Sequence, residues 1–410
     1  MQQTGKTRLE LLDVGLIVAM LGLIGFGLAS IYSATFGQQS GPLAQNFVRQ
    51  VYWVGIGLVA FLITLSLNPK FFEASAYVFY GIVLLLLVAV LLVGHSGGGA
   101  TRWLSIGGFR VQPSEWAKLA TILALARFLA DHKDAVNDKK NLAIAAAIGA
   151  APMLLIFKQP DLGTSLVFLA IVPIMMFWAG VSPLTLFLAF LPGITALASF
   201  RVWSFFLVMF VLGVVLLLSR RGVFFSLLHV VLNIMVGIFT PYLWNSLEPY
   251  QQKRVMAFLG IVNDPRGISY QVIQSKVAIG SGGLFGKGFL HGTQTQLRFL
   301  PEQHTDFIFS VIGEEFGFIG GIIIILLFVF LLVRGVQIAT SLKHQFYSLV
   351  AIGIIGLFLY HYFVNLGMVM GIMPVTGLPL PFVSYGGSFL LTSIISVALL
   401  LNFSMHRQEY

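Results

Sequence analysis

The run IVLLLLVAVLLV, residues 82–93, is an unbroken series of apolar side chains with no alternation of polar positions. A half-buried strand alternates with a period of two, and a barrel strand crosses a bilayer in about 10 alternating residues. An unbroken run instead fits a helix whose whole circumference meets lipid or other apolar helices. In hydrocarbon the backbone must satisfy its own polar groups, and the helix does so within one segment. Working outward, comparable runs lie at 12–32, 48–67, 76–94, 114–129, 141–157, 163–180, 182–200, 203–219, 223–245, 305–333, 346–370 and 387–404. Each approaches the roughly 20 residues that a helical span requires. The expected fold is therefore all-α: a polytopic transmembrane bundle of about twelve spans, forming one membrane domain over residues 1–410.

Composition agrees. Of 410 residues, 58% are hydrophobic and 10% charged, and the mean hydropathy is +0.92. An ordinary soluble domain has roughly 25% charged residues. The chain lacks cysteine, which removes disulfides and thiolate metal sites from consideration. Its net charge of +9 is scattered through loops and forms no basic stripe with interleaved aromatics, so no nucleic-acid partner is expected. Anionic head groups or a phosphate-bearing substrate fit better. The run Leu12 to Tyr32 is too long for a signal-peptide core and reads as a retained first span.

Lys6, Arg8, Lys70, Lys133, Lys139, Lys140, Arg220, Arg221, Arg334, Lys343 and Arg407 fall on one side if the spans alternate. The short loops of the other side carry far fewer cations. The positive-inside rule then puts both termini in the cytoplasm and the polar stretch 246–304 outside.

Ionisable groups at membrane depth are costly, so each is a functional candidate. Gln112-Pro113-Ser114-Glu115-Trp116-Ala117-Lys118 opens a helix, with Ser114 as a candidate cap and Glu115 and Lys118 on one face; a local ion pair is the plain alternative. Lys158-Gln159-Pro160-Asp161 sets a cation beside a carboxylate at a proline-interrupted junction. In the outer loop, Pro265 disfavours the helical region for Asp264 and holds that carboxylate on a bend, where a turn-forming role competes with a catalytic one. Gly280 to Gly288, with Lys276, Lys287 and Arg298 around it, suits either a close backbone approach to an anion or a flexible loop. Thr305 or Asp306 is placed to cap the next helix, and Glu314 and Glu315 fall two to three turns inside it, where they need a partner or a watery cavity. Pro374, Pro379 and Pro381, followed by Val383 to Ser388, give irregular backbone that suits a cavity wall. The small residues from Ala143 to Ala151, with Gly149, offer a face for close packing, inside the bundle or against a partner's span.

Taken in order, these segments resemble the RodA/FtsW/SpoVE family of SEDS proteins. The resemblance rests on Gln112 to Lys118, Gln159 to Thr164, Asp264-Pro265 with Tyr270 and Gln271, Gln274 to Gly288, Gly292 to Gln294, Leu300 to Phe309, Glu314-Glu315 and Pro379 to Ser388. The glycine-rich stretch is more similar to the RodA branch. The resemblance implies a peptidoglycan glycosyltransferase of cell elongation and shape maintenance in the bacterial inner membrane, polymerising lipid II on the extracytoplasmic side. It carries the family's essential aspartate onto Asp264. Substrate contacts are expected from Glu115, Lys118, Lys158, Asp161, Gln271, Ser275, Lys287, His304, Asp306, Glu314, Glu315 and Ser384. Positive charge for the leaving pyrophosphate would come from Lys118, Lys158, Lys287 or a divalent cation, magnesium or manganese, with no organic cofactor. Expected partners are a class B penicillin-binding protein transpeptidase and other membrane proteins of the elongation complex. Two departures stand out: Arg266 occupies a position that is usually apolar, and 182–245 holds three apolar runs where the family's ten-helix plan needs one. A lipid II flippase is the alternative, because a cavity lined by Glu115, Lys118, Asp161, Glu314 and Glu315 would equally suit translocation.

Overall fold

The computed structural model describes residues 12–36, 45–93, 95–97, 100–106, 109–219, 222–245, 252, 256 and 268–407. Asp264, with Pro265 and Arg266, lies outside the described residues. Each apolar run is helical, with 305–333 divided between two helices, and the chain is an all-α, multi-pass membrane protein. Among the described residues, eight helices are long and apolar enough to cross a bilayer, and three more apolar helices are shorter.

The chain divides into two compact units, 1–179 with 254–410, and 180–253. In the larger unit the order is α1 (Val14–Thr35), α2 (Asn46–Ser66), α3 (Pro69–Val93), α4 (Pro113–Asp131), α5 (Lys139–Phe157) and α6 (Leu162–Trp178). Between α3 and α4 lies a small antiparallel sheet of β1 (His95–Gly97), β2 (Ala100–Ile106) and β3 (Phe109–Val111), which hydropathy did not disclose. The smaller unit holds α7 (Pro183–Ala198), α8 (Val202–Leu218) and α9 (Val223–Asn245). Leu188, Leu191, Leu212 and Leu216 form its apolar centre, and Thr195 Oγ1 donates to Asn233 Oδ1 at 2.6 Å to fasten α7 to α9.

The larger unit resumes with α10 (Ile268–Gly282), α11 (Thr293–Gln296), α12 (Ile308–Glu315), α13 (Gly317–Ser341), α14 (Gln345–Val369) and α15 (Gly387–Met405). In α14 and α15, 78% and 83% of the spanning window is buried, which makes them the centre of the bundle. Around them, α4, α6 and α13 pack on α14, while α2 packs on α15.

Three local expectations change. The stretch 246–304 is not loop throughout, because α10 and α11 lie in it. The single span 305–333 is broken between α12 and α13, where Gly317 adopts φ +65°. Glu314 and Glu315 therefore end an eight-residue helix and do not lie inside a long one. Gly149 packs so closely on Val172 of α6 that a Cβ would collide with its methyl group, so this glycine serves internal packing, whereas Ala143, Ala146 and Ala147 on α5 are exposed.

Candidate functional site

The charged residues expected at membrane depth fall into two clusters built on different helices. The first lies at the start of α4. Pro113 occupies the first turn, where its missing N–H costs nothing, and the chain enters the helix from extended backbone at Gln112. No side chain caps it, so Ser114 does not play that part. One turn in, Lys118 Nζ lies 2.7 Å from Glu115 Oε2, with the two side chains 1% and 5% exposed. The ammonium also donates to His361 Nε2 at 3.2 Å and sits 4.8 Å above the Phe389 ring. Lys118 is thus held from three sides by α4, α14 and α15.

Asp161 lies near enough to act electrostatically on Glu115. Its carboxylate caps α6, accepting from the Thr164 amide at 3.3 Å and the Thr164 hydroxyl at 3.0 Å. Gln159 is buried and donates to the Leu87 carbonyl at 3.0 Å. Lys158 ends α5 in an exposed position. It lines a cavity of about 410 Å³ with Leu84, Ala151, Leu154, Leu155 and Phe157.

The second cluster joins the end of α12 to the loop before it. Glu314 accepts at Oε1 from Lys287 Nζ at 2.8 Å, the Gln294 amide at 2.8 Å and Thr293 Oγ1 at 3.2 Å. At Oε2 it accepts from the Thr295 amide at 3.0 Å and the Thr295 hydroxyl at 2.8 Å. A carboxylate surrounded only by donors works as an acceptor, and here it caps α11 from a distant part of the chain. Glu315 accepts from the Ser33 hydroxyl of α1, and Gln303 donates to the Ala34 carbonyl at 3.0 Å. The loop is thereby tied to the end of α1.

The glycine-rich stretch packs on this same junction. The amides of Lys287 and Gly288 donate to the Glu314 and Glu315 carbonyls at 2.9 and 3.0 Å, and the Gly286 amide donates to Gly282 at 2.8 Å. These three donors are spent within the protein and do not form an anion-binding nest. Gly286 has φ +81°, and a Cβ there would collide with the Glu315 carbonyl.

The irregular segment before α15 is held by side chains. Ser384 Oγ accepts from the Leu380 amide at 2.8 Å and donates to the Thr305 carbonyl at 2.6 Å. The Tyr385 amide donates to the His304 carbonyl at 2.9 Å, and the two rings lie 5.6 Å apart. Burial holds the His304 imidazole below its ordinary pKa, against the opposing pull of the Glu302 carboxylate. Neither Thr305 nor Asp306 caps α12; the N-cap is Phe307, and the Asp306 carbonyl accepts from Asn365 Nδ2 at 3.0 Å. Ser275 is buried between α12 and α14, bonded to the Ser310 hydroxyl at 2.8 Å and the Val369 carbonyl at 2.7 Å. Gln271 is partly exposed on α10.

The structure thus joins Glu115, Lys118 and Asp161 in one place, Lys287, Glu314 and Glu315 in another, and His304, Asp306 and Ser384 in a third. It adds residues outside the sequence motifs: His361 and Asn365 on α14, Gln50 on α2 and Ser33 on α1. Gln50 accepts from the Gly386 amide at 3.2 Å. His361 alone carried a legible signal, as an ionisable side chain inside an apolar run. Among the described residues no three His, Asp or Glu side chains are grouped to hold a metal ion.

The family described as cell cycle protein, that of FtsW, RodA and SpoVE, matches residues 13–209 and 202–409. The two matches meet inside α8, in the unit where the expected ten-helix plan is exceeded. The peptidoglycan glycosyltransferase MrdB of Escherichia coli (strain K12) is 38% identical over 399 residues, covering 97% of this chain and 94% of that protein. The peptidoglycan glycosyltransferase RodA of Treponema pallidum (strain Nichols) is 37% identical over 421 residues, covering 95% and 96%. Among solved structures, the rod shape determining protein RodA of Thermus thermophilus is similar at 27% identity and TM-score 0.64, covering 97% of this chain and 98% of that one. A chain from a peptidoglycan synthase complex that coordinates polymerization and crosslinking is similar at 30% identity and TM-score 0.72, covering 97% and 99%. With matches that run nearly end to end in both sequence and fold, this chain belongs to the FtsW/RodA/SpoVE family of SEDS proteins.

Proposed function

We propose that this chain is the lipid II polymerase of cell elongation, a peptidoglycan glycosyltransferase that lengthens glycan strands on the extracytoplasmic face. The observation that carries the reading is the 38% identity, over 97% of the chain, to a peptidoglycan glycosyltransferase. In the reaction a sugar hydroxyl of the acceptor attacks the anomeric carbon of the donor. The new glycosidic bond forms, the bond to pyrophosphate breaks with its electron pair, and the hydroxyl proton passes to a base. Asp264 is assigned as that base because the family resemblance carries the essential aspartate onto it, and a positioned carboxylate can take the proton released during attack.

The departing pyrophosphate needs positive charge. Lys158 is exposed and Lys287, although paired with Glu314, is 26% exposed, so both are more accessible to a substrate than Lys118, which is 1% exposed in its pair with Glu115. A divalent magnesium or manganese ion, held by a carboxylate and the substrate's own phosphates, would add the same screening. Both termini are assigned to the cytoplasm on the cation bias of the loops. The assigned partner is a class B penicillin-binding protein transpeptidase, within an assembly of elongation-complex membrane proteins. Membership of a similar chain in a peptidoglycan synthase complex supports that assignment.

Purified protein given lipid II in detergent tests the function. Polymer that lengthens without a sealed membrane supports a glycosyltransferase. Transfer of lipid II between leaflets of reconstituted vesicles, with no polymer in either setting, would replace it with the flippase reading.

A further inference from the structure

His361 lies inside α14, has no exposed surface and belongs to none of the motifs that carry the proposed activity. Its two ring nitrogens face opposite kinds of group. Nδ1 lies 3.1 Å from the Pro379 carbonyl oxygen, which can only accept, so Nδ1 carries the proton. Nε2 lies 3.2 Å from Lys118 Nζ, and an ammonium can only donate, so Nε2 keeps its lone pair. The ring is therefore a neutral imidazole of one tautomer. Its plane stacks on Phe389 at 4.7 Å and 27°, and the same phenyl ring underlies the ammonium of Lys118.

One turn further along α14, Asn365 Nδ2 donates to the Leu378 carbonyl at 2.8 Å and to the Asp306 carbonyl at 3.0 Å. Residues 361 and 365 share a helix face, and both fasten the non-helical segment at 378–379. Irregular backbone at this depth persists only when such partners satisfy it. That segment leads to Ser384, which holds the Thr305 carbonyl, and to Tyr385, which holds His304.

We propose that His361 is a positioning residue for glycan polymerisation: through its two ring nitrogens it ties the Glu115–Lys118 pair to the 378–385 segment that supports the 304–306 turn. The functional part rests on the lipid II polymerase reading; the contact itself does not. A Gln at 361 keeps one donor and one acceptor, whereas Phe keeps the ring stack and loses both.

Two measurements test the inference. In purified protein with 15N-labelled histidine, the signal absent from His361→Gln is expected to report a neutral ring protonated at Nδ1. A proton on Nε2, or a charged ring, overturns the contact whatever the substrate is. In lipid II polymerisation, His361→Phe is expected to lower kcat by on the order of 10- to 100-fold with KM little changed, as a small misplacement can do, while His361→Gln stays within about 3-fold of wild type. Equal kcat for His361→Phe and wild type, with only thermal stability reduced, would make the residue purely structural and overturn the proposal. A wild-type protein that makes no polymer would overturn the polymerase reading instead, and the labelled ring would still decide the contact.

Discussion

At the scale of single residues, burial separates groups that do chemistry from groups that hold the frame. Lys118 and Glu115 neutralise each other where water cannot, so removing one partner leaves a buried charge. Lys118→Met is expected to lose on the order of 3–5 kcal/mol of stability, and Glu115→Leu with Lys118→Met to recover much of it. Thermal unfolding in detergent reads both, and a single variant as stable as wild type would sink the argument. Asp264→Asn should leave unfolding nearly unchanged while polymerisation falls by about 10²- to 10⁴-fold, the usual contribution of a positioned base. Normal polymer from that variant would remove Asp264 from the role. His304 adds a pH effect. Its folded pKa is depressed by burial, so the unfolded chain takes up the proton first as pH drops below the ordinary histidine value of about 6.5. Stability from this group is intact above that pH and declines below it, until the folded pKa is reached. Melting curves between about pH 7.5 and 5.5 should fall more steeply for wild type than for His304→Gln, and parallel curves would contradict it.

At the scale of elements, the break between α12 and α13 organises the loop before it. Gly317 turns the chain at φ +65°, and the freed carbonyls of Glu314 and Glu315 receive the amides of Lys287 and Gly288. The last carbonyls of a helix have no intrahelical partner. Glu314 then reaches over to cap α11, so one short helix end sets the position of Lys287 and of Thr293 to Gln296. Gly286→Ala should strain this junction, because φ +81° disfavours a side chain and the added carbon meets the Glu315 carbonyl. A cost of about 1–3 kcal/mol is expected, with faster proteolysis of the 284–292 loop and weaker polymerisation. Unchanged proteolysis and melting would show that the loop does not depend on this contact.

At the scale of the whole molecule, α14 and α15 are enclosed by other helices while most other spans keep apolar sides free for lipid. On α5, Gly149 is packed on α6, while Ala143, Ala146 and Ala147 stay exposed and free for a partner's span. Addition of the class B penicillin-binding protein is expected to raise the polymerisation rate and to co-purify with this chain; full activity alone with no gain from the partner would sink the activation. The helical membrane fold and its apolar runs were determined by the sequence itself, because hydrocarbon thickness and backbone satisfaction act on local composition. The pairing of Glu115 with Lys118 was equally local, since three residues along a helix share a face. What lay beyond sequence was the sorting of charges. Glu314 met Thr295 and Lys287 of the preceding loop, and Lys118 met His361 across 243 positions, through contacts between separate segments. Only the tertiary structure could turn Glu314 into the cap of another helix, spend the amides of Lys287 and Gly288 on carbonyls and put a neutral histidine beside a buried lysine, because a polar group's role inside a bundle is set by whichever partner the packing brings to it.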